Sequence, residues 1–188
     1  MLELADHILD ISENSVRAGA TLVTITINED VDLDVLSIEI EDNGKGMTEG
    51  EIEKALDPFY TTKKVRRVGL GLPMLANAAE MTGGHLELSS TPGKGTLLKA
   101  TFGLTHFDRQ PLGNIIKTLI ILIAGNSTVD FFYKHRHNGS QFKLDTREIR
   151  KEIDGLPINH PALLKYIRGV IEEGLLELKQ GAESAPKD

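Results

Sequence analysis

The chain has 188 residues, 40% of them hydrophobic and 26% charged, with a net charge of −7; this is ordinary for a soluble globular protein and fills one good core, or one domain plus an appendage. The negative balance excludes a general nucleic-acid or anionic-membrane surface. There is no cysteine, which excludes disulfides and thiolate metal sites and makes a reducing cytoplasm the expected setting.

The amino end lacks the apolar run of a signal peptide. Leu2 to Ala18 reads as a helix, with Leu4, Ala5, Ile8, Leu9 and Val16 on an apolar side and Asp6, Asp10, Asn14 and Arg17 in a polar stripe. Gly19 is placed to end it in a left-handed conformation. Val23, Ile25 and Ile27 alternate with threonines over Thr21–Ile27, the pattern of a half-buried strand. An acidic loop from Asn28 to Asp34 leads to a second strand, Val35 to Glu41. Asp42-Asn43-Gly44-Lys45-Gly46 breaks the pattern, and Thr48 with Glu51 predicts a capping box for a short helix ending near Leu56. Thr61 to Val68 is a basic loop. Gly69-Leu70-Gly71-Leu72 then opens a helix that tolerates Pro73 in its first turn and stops at Gly83-Gly84. Two strands, Leu86–Ser90 and Thr96–Phe102, are joined by the turn Pro92–Gly95.

Beyond a connector at Thr105–Gly113 the apolar run Ile115–Ala124 is about half the ~20 residues of a membrane span, and Lys117 interrupts it, so a buried helix near Asn114–Ala124 is expected. Strands Val129–His137 and Gln141–Leu144 surround an Asn138-Gly139 hairpin turn. Asp145 and Glu148 can box a helix that stops at Gly155. Asn159 can cap a last helix with Leu163, Leu164, Ile167, Val170, Ile171, Leu175 and Leu178 on one side, weakened by Gly169 and Gly174. From Lys179 the chain is polar and expected to be loose.

Four features could carry chemistry, and each has a plain alternative. Asp10 and Asn14, four apart, share a helix face. The Asn amide oxygen suits Mg²⁺ and the carboxylate could orient a water, but a solvated helix face looks the same. Asp42-x-Gly44-x-Gly46 follows a strand. Its acid could accept from an adenine amino group while the glycines let backbone approach a ligand, yet turns commonly begin with Asp. Lys63, Lys64, Arg66 and Arg67 precede Gly69-Leu70-Gly71 at a helix amino end, where N–H groups and four cations would fit a triphosphate; a solvated charge run is the alternative. Gly93-x-Gly95-Thr96 brings a hydroxyl to a strand start, where it could hold a base or simply turn a hairpin. There is neither a Walker P-loop nor a dinucleotide fingerprint. In the carboxy-terminal part His135 and His137 share one strand face. Two histidines without a third ligand make a poor metal site, and an edge strand kept from pairing by its charges is the expected account.

In order and spacing these segments together resemble the GHKL ATPases, the group of DNA gyrase, ninety-kilodalton heat-shock chaperones, histidine kinases and mismatch-repair ATPases. Glu13-Asn-Ser-Val-Arg-Ala-Gly-Ala-Thr21 resembles the N box in its mismatch-repair form, and Asp42-Asn-Gly-Lys-Gly46 the first glycine box. Asp57-Pro-Phe-Tyr-Thr-Thr-Lys63 is similar to the approach to a kinase ATP lid, and Gly69-Leu-Gly-Leu72 to the second glycine box. Thr82-Gly-Gly84 and Gly93-Lys-Gly-Thr96 look like the kinase ending. The likeness covers about residues 4–102.

The resemblance implies a two-layer α/β sandwich of the Bergerat type at residues 1–104. A small α+β extension, helix-hairpin-helix, would follow at 113–178 and a polar tail at 179–188. It implies ATP and Mg²⁺ as ligands. Asn14 would hold the metal and Asp42 the adenine amino group, with Gly44, Gly46 and Thr96 near the base. Gly69, Leu70 and Gly71 would present N–H groups to phosphate, and Lys63 would lie in the lid. Asp10 stands where relatives that hydrolyse ATP or phosphorylate serine often have Glu. It can act as a base but is one methylene shorter, and about 1 Å of misplacement costs on the order of 100-fold. Autophosphorylation of the usual histidine-kinase kind is not expected, since the sequence opens inside the N box. The expected function is therefore Mg-dependent ATP binding with γ-phosphate transfer to water or to a separate protein. The rivals are a non-catalytic, nucleotide-dependent binding module and an anti-sigma-like serine kinase. A protein partner or separate phosphoacceptor is expected, nucleic acid and membrane are not, and a homodimer through the last helix stays open.

Overall fold

The computed structural model describes residues 3–57, 71–153 and 155–184. Six helices and six strands occur among them: α1 (Leu4–Arg17), β1 (Leu22–Asp30), β2 (Val35–Asp42), α2 (Glu49–Leu56), α3 (Gly71–Glu80), β3 (Leu86–Thr91), β4 (Gly95–Gly103), α4 (Ile115–Gly125), β5 (Asp130–His137), β6 (Ser140–Asp145), α5 (Thr146–Glu152) and α6 (Pro161–Ser184). The strands form one sheet in the order β3-β4-β2-β1-β5-β6. Every neighbouring pair is antiparallel except β1 and β5, which run parallel from Leu22 opposite Asp130 to Glu29 opposite His137.

Register puts the apolar set on one face. Ile25 lies opposite both Ile40 and Tyr133, and Ile40 opposite Leu98. Against this face pack Leu4, Ile8 and Ile11 of α1, Leu75 and Ala79 of α3, Leu119, Leu122 and Ile123 of α4, and Leu163, Ile167 and Ile171 of α6, all in one continuous core. The result is a two-layer α/β sandwich, with the other sheet face left bare by the described residues. Among the described residues no helix is long and apolar enough to cross a membrane.

Local signals explain most boundaries. α1 stops where Gly19 takes φ +81°. The Glu51 carboxylate reaches back to the Thr48 N–H at 2.8 Å, closing the box that starts α2. Asn114 accepts from the Lys117 N–H at 2.9 Å to cap α4. Asn138 and Gly139 both have positive φ, as a tight hairpin between β5 and β6 requires.

Several expectations are corrected. The acidic loop begins later, because β1 continues through Asp30, paired with Val35. β5 is no edge strand held apart by its charges. It is paired on both sides, and Lys134 and Arg136 alternate onto the bare face while His135 points into the core side. The last helix is capped by His160, not Asn159: its Nδ1 accepts from the Ala162 N–H at 3.3 Å, ahead of Pro161 in the first helical position. It also runs on to Ser184, burying Ala182. Gly174 has a packing reason. Its bare Cα lies against the Phe142 ring of β6, and a Cβ there would enter the ring.

Candidate nucleotide-binding site

α1 lies across the end of the sheet where β2 finishes and β4 begins. Between them is a cavity of about 490 Å³, within the usual range for a small-ligand site. Asp10, Asn14 and Ser15 of α1 form one wall, and Asp42, Gly46 and Thr96 close one end. Ile11, Ile40, Leu88 and Leu98 form an apolar floor, Gly71 and Leu72 stand at the start of α3, and Glu51 and Lys54 of α2 border the rim.

Asp42 is 9% exposed, and its carboxylate is fixed on both oxygens. Ser15 Oγ donates to Oδ2 at 2.7 Å and the Gly44 N–H donates to Oδ1 at 2.8 Å. Each oxygen keeps a lone pair for a ligand donor. Thr96 is its cross-strand neighbour on β4. Ser90 Oγ donates to the Gly95 carbonyl at 2.8 Å and accepts from the Met47 N–H at 2.8 Å. With its one proton spent, its 2.9 Å contact with Thr96 takes the Thr96 proton. With the Ser90 proton on the Gly95 carbonyl, Thr96 faces the cavity as an acceptor. Two acceptors side by side suit an exocyclic amino group.

The glycines are required by close protein contacts. Gly46 has φ +65° and its Cα lies against the Thr91 carbonyl, so a side chain is excluded by both conformation and space. Gly44 is hemmed in by Asp42 Oδ1 and the Ala18 backbone, and a Cβ at Gly71 would strike the Asp10 carboxylate. The amino end of α3 is thus braced directly on Asp10. Ser15 lies five residues further along α1, about 7.5 Å at the helical rise, so the two ends of the cavity present different chemistry.

Asn14 also lines the cavity, and its Oδ1 accepts from Arg17 Nη2 at 2.6 Å. A carbonyl oxygen has a second lone pair, and Asp10 stands one turn away. An amide oxygen beside a carboxylate is a hard-oxygen pair that fits Mg²⁺ with water and phosphate as its other ligands. Among the described residues no group of three His, Cys, Asp or Glu could hold a metal by itself.

Of the residues singled out in the sequence, Asp10, Asn14, Asp42, Gly46, Gly71 and Thr96 are brought together around this cavity, with Gly44 directly behind Asp42. Lys63, Gly69 and Leu70 lie outside the described residues, as do the other cations of that loop. Ser15 and Ser90 were missed. Ser15 had a readable signal: at one turn after Ile11 it falls on the apolar side of α1, where a buried hydroxyl must find a partner. Ser90 had none, since its partners come from two separate turns.

A second hollow, about 730 Å³ and shallower, lies between α4, α6 and the far ends of β1 and β5. Two of its polar residues, His135 and Glu29, are tied to each other. His135 Nε2 is 2.7 Å from Glu29 Oε1, and its Nδ1 is 2.8 Å from the Tyr133 hydroxyl. The His135 hydrogen bond holds the Glu29 carboxyl below the usual carboxylate range, and burial pushes the Tyr133 phenol up. The smaller cavity holds the acceptors of Asp42 and Thr96 and is the candidate site.

Residues 2–106 match the family described as histidine kinase-, DNA gyrase B-, and HSP90-like ATPase. That is more than half of the chain, and the protein belongs to this family, whose members' ATPase domain implies ATP binding. Sensor kinase CckA of Brucella abortus (strain 2308) is 42% identical over 67 residues, which are 35% of this chain and 7% of that protein. The anti-sigma F factor of Thermoanaerobacter sp. (strain X514) is 38% identical over 78 residues, 41% of this chain and 50% of that one. The chain thus spans half or less of the length of these relatives. Among solved structures, the N-terminal domain of a DNA repair protein superposes with a TM-score of 0.53 at 19% identity, covering 77% of this chain and 53% of that one. At that identity the likeness is one of fold. It covers a larger share of the chain than the family match, so the common fold takes in part of the region after residue 106.

Proposed function

We propose that the protein binds Mg·ATP in the α1–β2–β4 cavity and transfers the γ-phosphate to water or to a separate protein. The observation that carries this reading is that Asp10, braced against the start of α3, and Asn14 one turn on line the same cavity as the acceptor pair Asp42 and Thr96. Asp42, steadied by Ser15 and Gly44, accepts from the adenine amino group, and the base lies on Ile40, Leu88 and Leu98. Asn14 contributes one oxygen to the metal, which when bound neutralises phosphate charge. Asp10 takes the proton of the attacking hydroxyl as its oxygen bonds to the γ-phosphorus and ADP leaves. The reading assumes a cytoplasmic setting, where ATP and Mg²⁺ abound.

A second reading, a nucleotide-dependent binding module with negligible turnover, is favoured by Arg17. Its guanidinium sits on the Asn14 oxygen that the metal would use. The relation to an anti-sigma F factor supports a protein as the acceptor within the first reading.

Labelled ATP with purified protein and cell extract separates these outcomes. Label released as phosphate or appearing on a protein is expected. Asp10→Ala should lower that transfer by about 100- to 10,000-fold, the usual loss for a general base, with a much smaller effect on ATP binding. Asp42→Asn should weaken ATP binding by about ten- to a hundredfold, the worth of a charge-assisted hydrogen bond. Full transfer by the Asp10 variant would remove Asp10 as the base, and ATP bound without transfer would leave the binding-module reading.

A further inference from the structure

All the core-forming helices pack on one face of the sheet, and the charges on the bare face are not mixed evenly. Cross-strand register places Lys134 of β5 directly opposite Lys143 of β6, and Arg136 one step along opposite Gln141. Like charges directly opposite in an antiparallel pair repel; desolvation, and after it the repulsion from Arg136 and Lys143, holds the Lys134 ammonium below its usual range. No carboxylate among the described residues forms an ion pair with any of the three. Elsewhere on this face two acids are matched. Glu39 of β2 pairs with Lys99 of β4 at 3.3 Å, and Asp145, the acid nearest the cluster, is held by Arg147 at 2.7 Å. A chain of net charge −7 thus keeps three cations together, at a cost, on an open surface.

We propose that the bare β5–β6 face is a docking surface for an acidic segment of a partner protein. The charge pattern selects the occupant. Lys134, Arg136 and Lys143 lie about 5 Å apart across strands and about 7 Å apart along one, a spacing that carboxylates of one short segment can meet. Phe132, on the same row of β5, gives the segment an apolar edge beside the cations. On the other side Lys134 and Arg136 adjoin Thr26 and Asn28 of β1, and beyond these stand Glu39 and Ser37 of β2. A nucleic-acid backbone crossing the sheet would run into Glu39 and Glu41, whereas an acidic segment confined to β5 and β6 would not. The surface is on the layer opposite α1 and the helices that enclose the nucleotide cavity, so it is independent of the ATP reading.

The test is binding of a fluorescent deca-glutamate peptide to the full chain at low and at physiological salt. A single-stranded oligonucleotide of similar charge serves as a second probe, and sedimentation reports self-association. Peptide binding that weakens with salt, and that falls about tenfold or more in the Lys134→Glu, Lys143→Glu double variant, is expected. ATP affinity should not change. Lys143→Gln guards against misfolding: it relieves the repulsion, so it should unfold at a temperature no lower than the parent while still losing peptide affinity. Equal peptide binding by parent and variants, or none, overturns the proposal. Tighter binding of the oligonucleotide would assign the face to nucleic acid instead, and a salt-sensitive dimer abolished by the double variant would assign it to a second copy of this chain.

Discussion

His7 shows how one residue tunes the conditions under which the site holds together. It is buried on α1 one turn before Asp10, with Nε2 3.2 Å from Gln110 Oε1 of the connector and no partner for Nδ1 among the described residues. Burial pushes its pKa below the ordinary value, and the Gln110 contact offsets only part of this. The folded state therefore favours the neutral ring. Below its ordinary value near 6.5 the unfolded chain binds the proton more readily, so the contribution of His7 is complete above that pH and is lost as pH falls toward the folded pKa. Melting temperature should drop as buffers are taken from about pH 7.5 to pH 5.5, and His7→Gln should flatten that part of the profile. Glu29, also held low, adds a separate loss in the more acid range below its ordinary value of 4.5. An unchanged slope in the His7 variant would place the acid sensitivity elsewhere. At this scale the site was legible where a residue type is chemically unusual for its position, as with Asn14 in a helix or Asp42 before two glycines. It was not legible where the partner is remote in sequence. Ser15 meets Asp42 27 positions away, and nothing local announces that meeting.

At the level of elements, α6 offers the sharpest test. Helix propensity favours replacing Gly174 with alanine by about 1 kcal/mol. The Phe142 ring against its Cα argues the other way, because a Cβ would require ring or helix to move, a kind of overpacking that costs about 1–3 kcal/mol. Packing should win. Gly174→Ala should lower stability in denaturant titration, and Phe142→Ala in the same chain should recover part of the loss through coupling between neighbours. A simple gain from Gly174→Ala would mean that α6 shifts freely over β6. Elements with a strict period or a chemical stop were read well. The alternation of β1, the Thr48–Glu51 box and the Asn138-Gly139 turn all gave their positions directly. The place of β5 in the sheet was hidden, because a parallel neighbour is set by the path of α4 across the sheet and leaves no mark in the strand's own residues. The basic run at 134–137 suggested an edge for that reason, and pairing with β1 turned its charges outward instead.

For the molecule as a whole, the sheet joins what the sequence divides. The core draws on Ile25, Ile38 and Leu98 from the first hundred residues and on Leu119, Phe131, Tyr133 and Ile167 from the rest. A fragment ending at residue 104 would leave the β5 side of β1 unpaired and strip the cover from these residues, creating a hydrophobic edge of the kind that associates. Such a fragment should lack a cooperative thermal transition, and the full chain should show a single one. A fragment melting cooperatively near the parent temperature would establish residues 1–104 as an autonomous unit.

The apolar floor of the nucleotide cavity has a further consequence. Ile11, Ile40 and Leu98 belong both to the core and to the wall a purine would rest on. A flat heterocycle seated there takes the role that a large side chain would play in another protein, completing the hydrophobic interior from outside the polypeptide. Under the proposed function, occupancy and folding would draw on the same surface, and a bound purine would count as part of the fold.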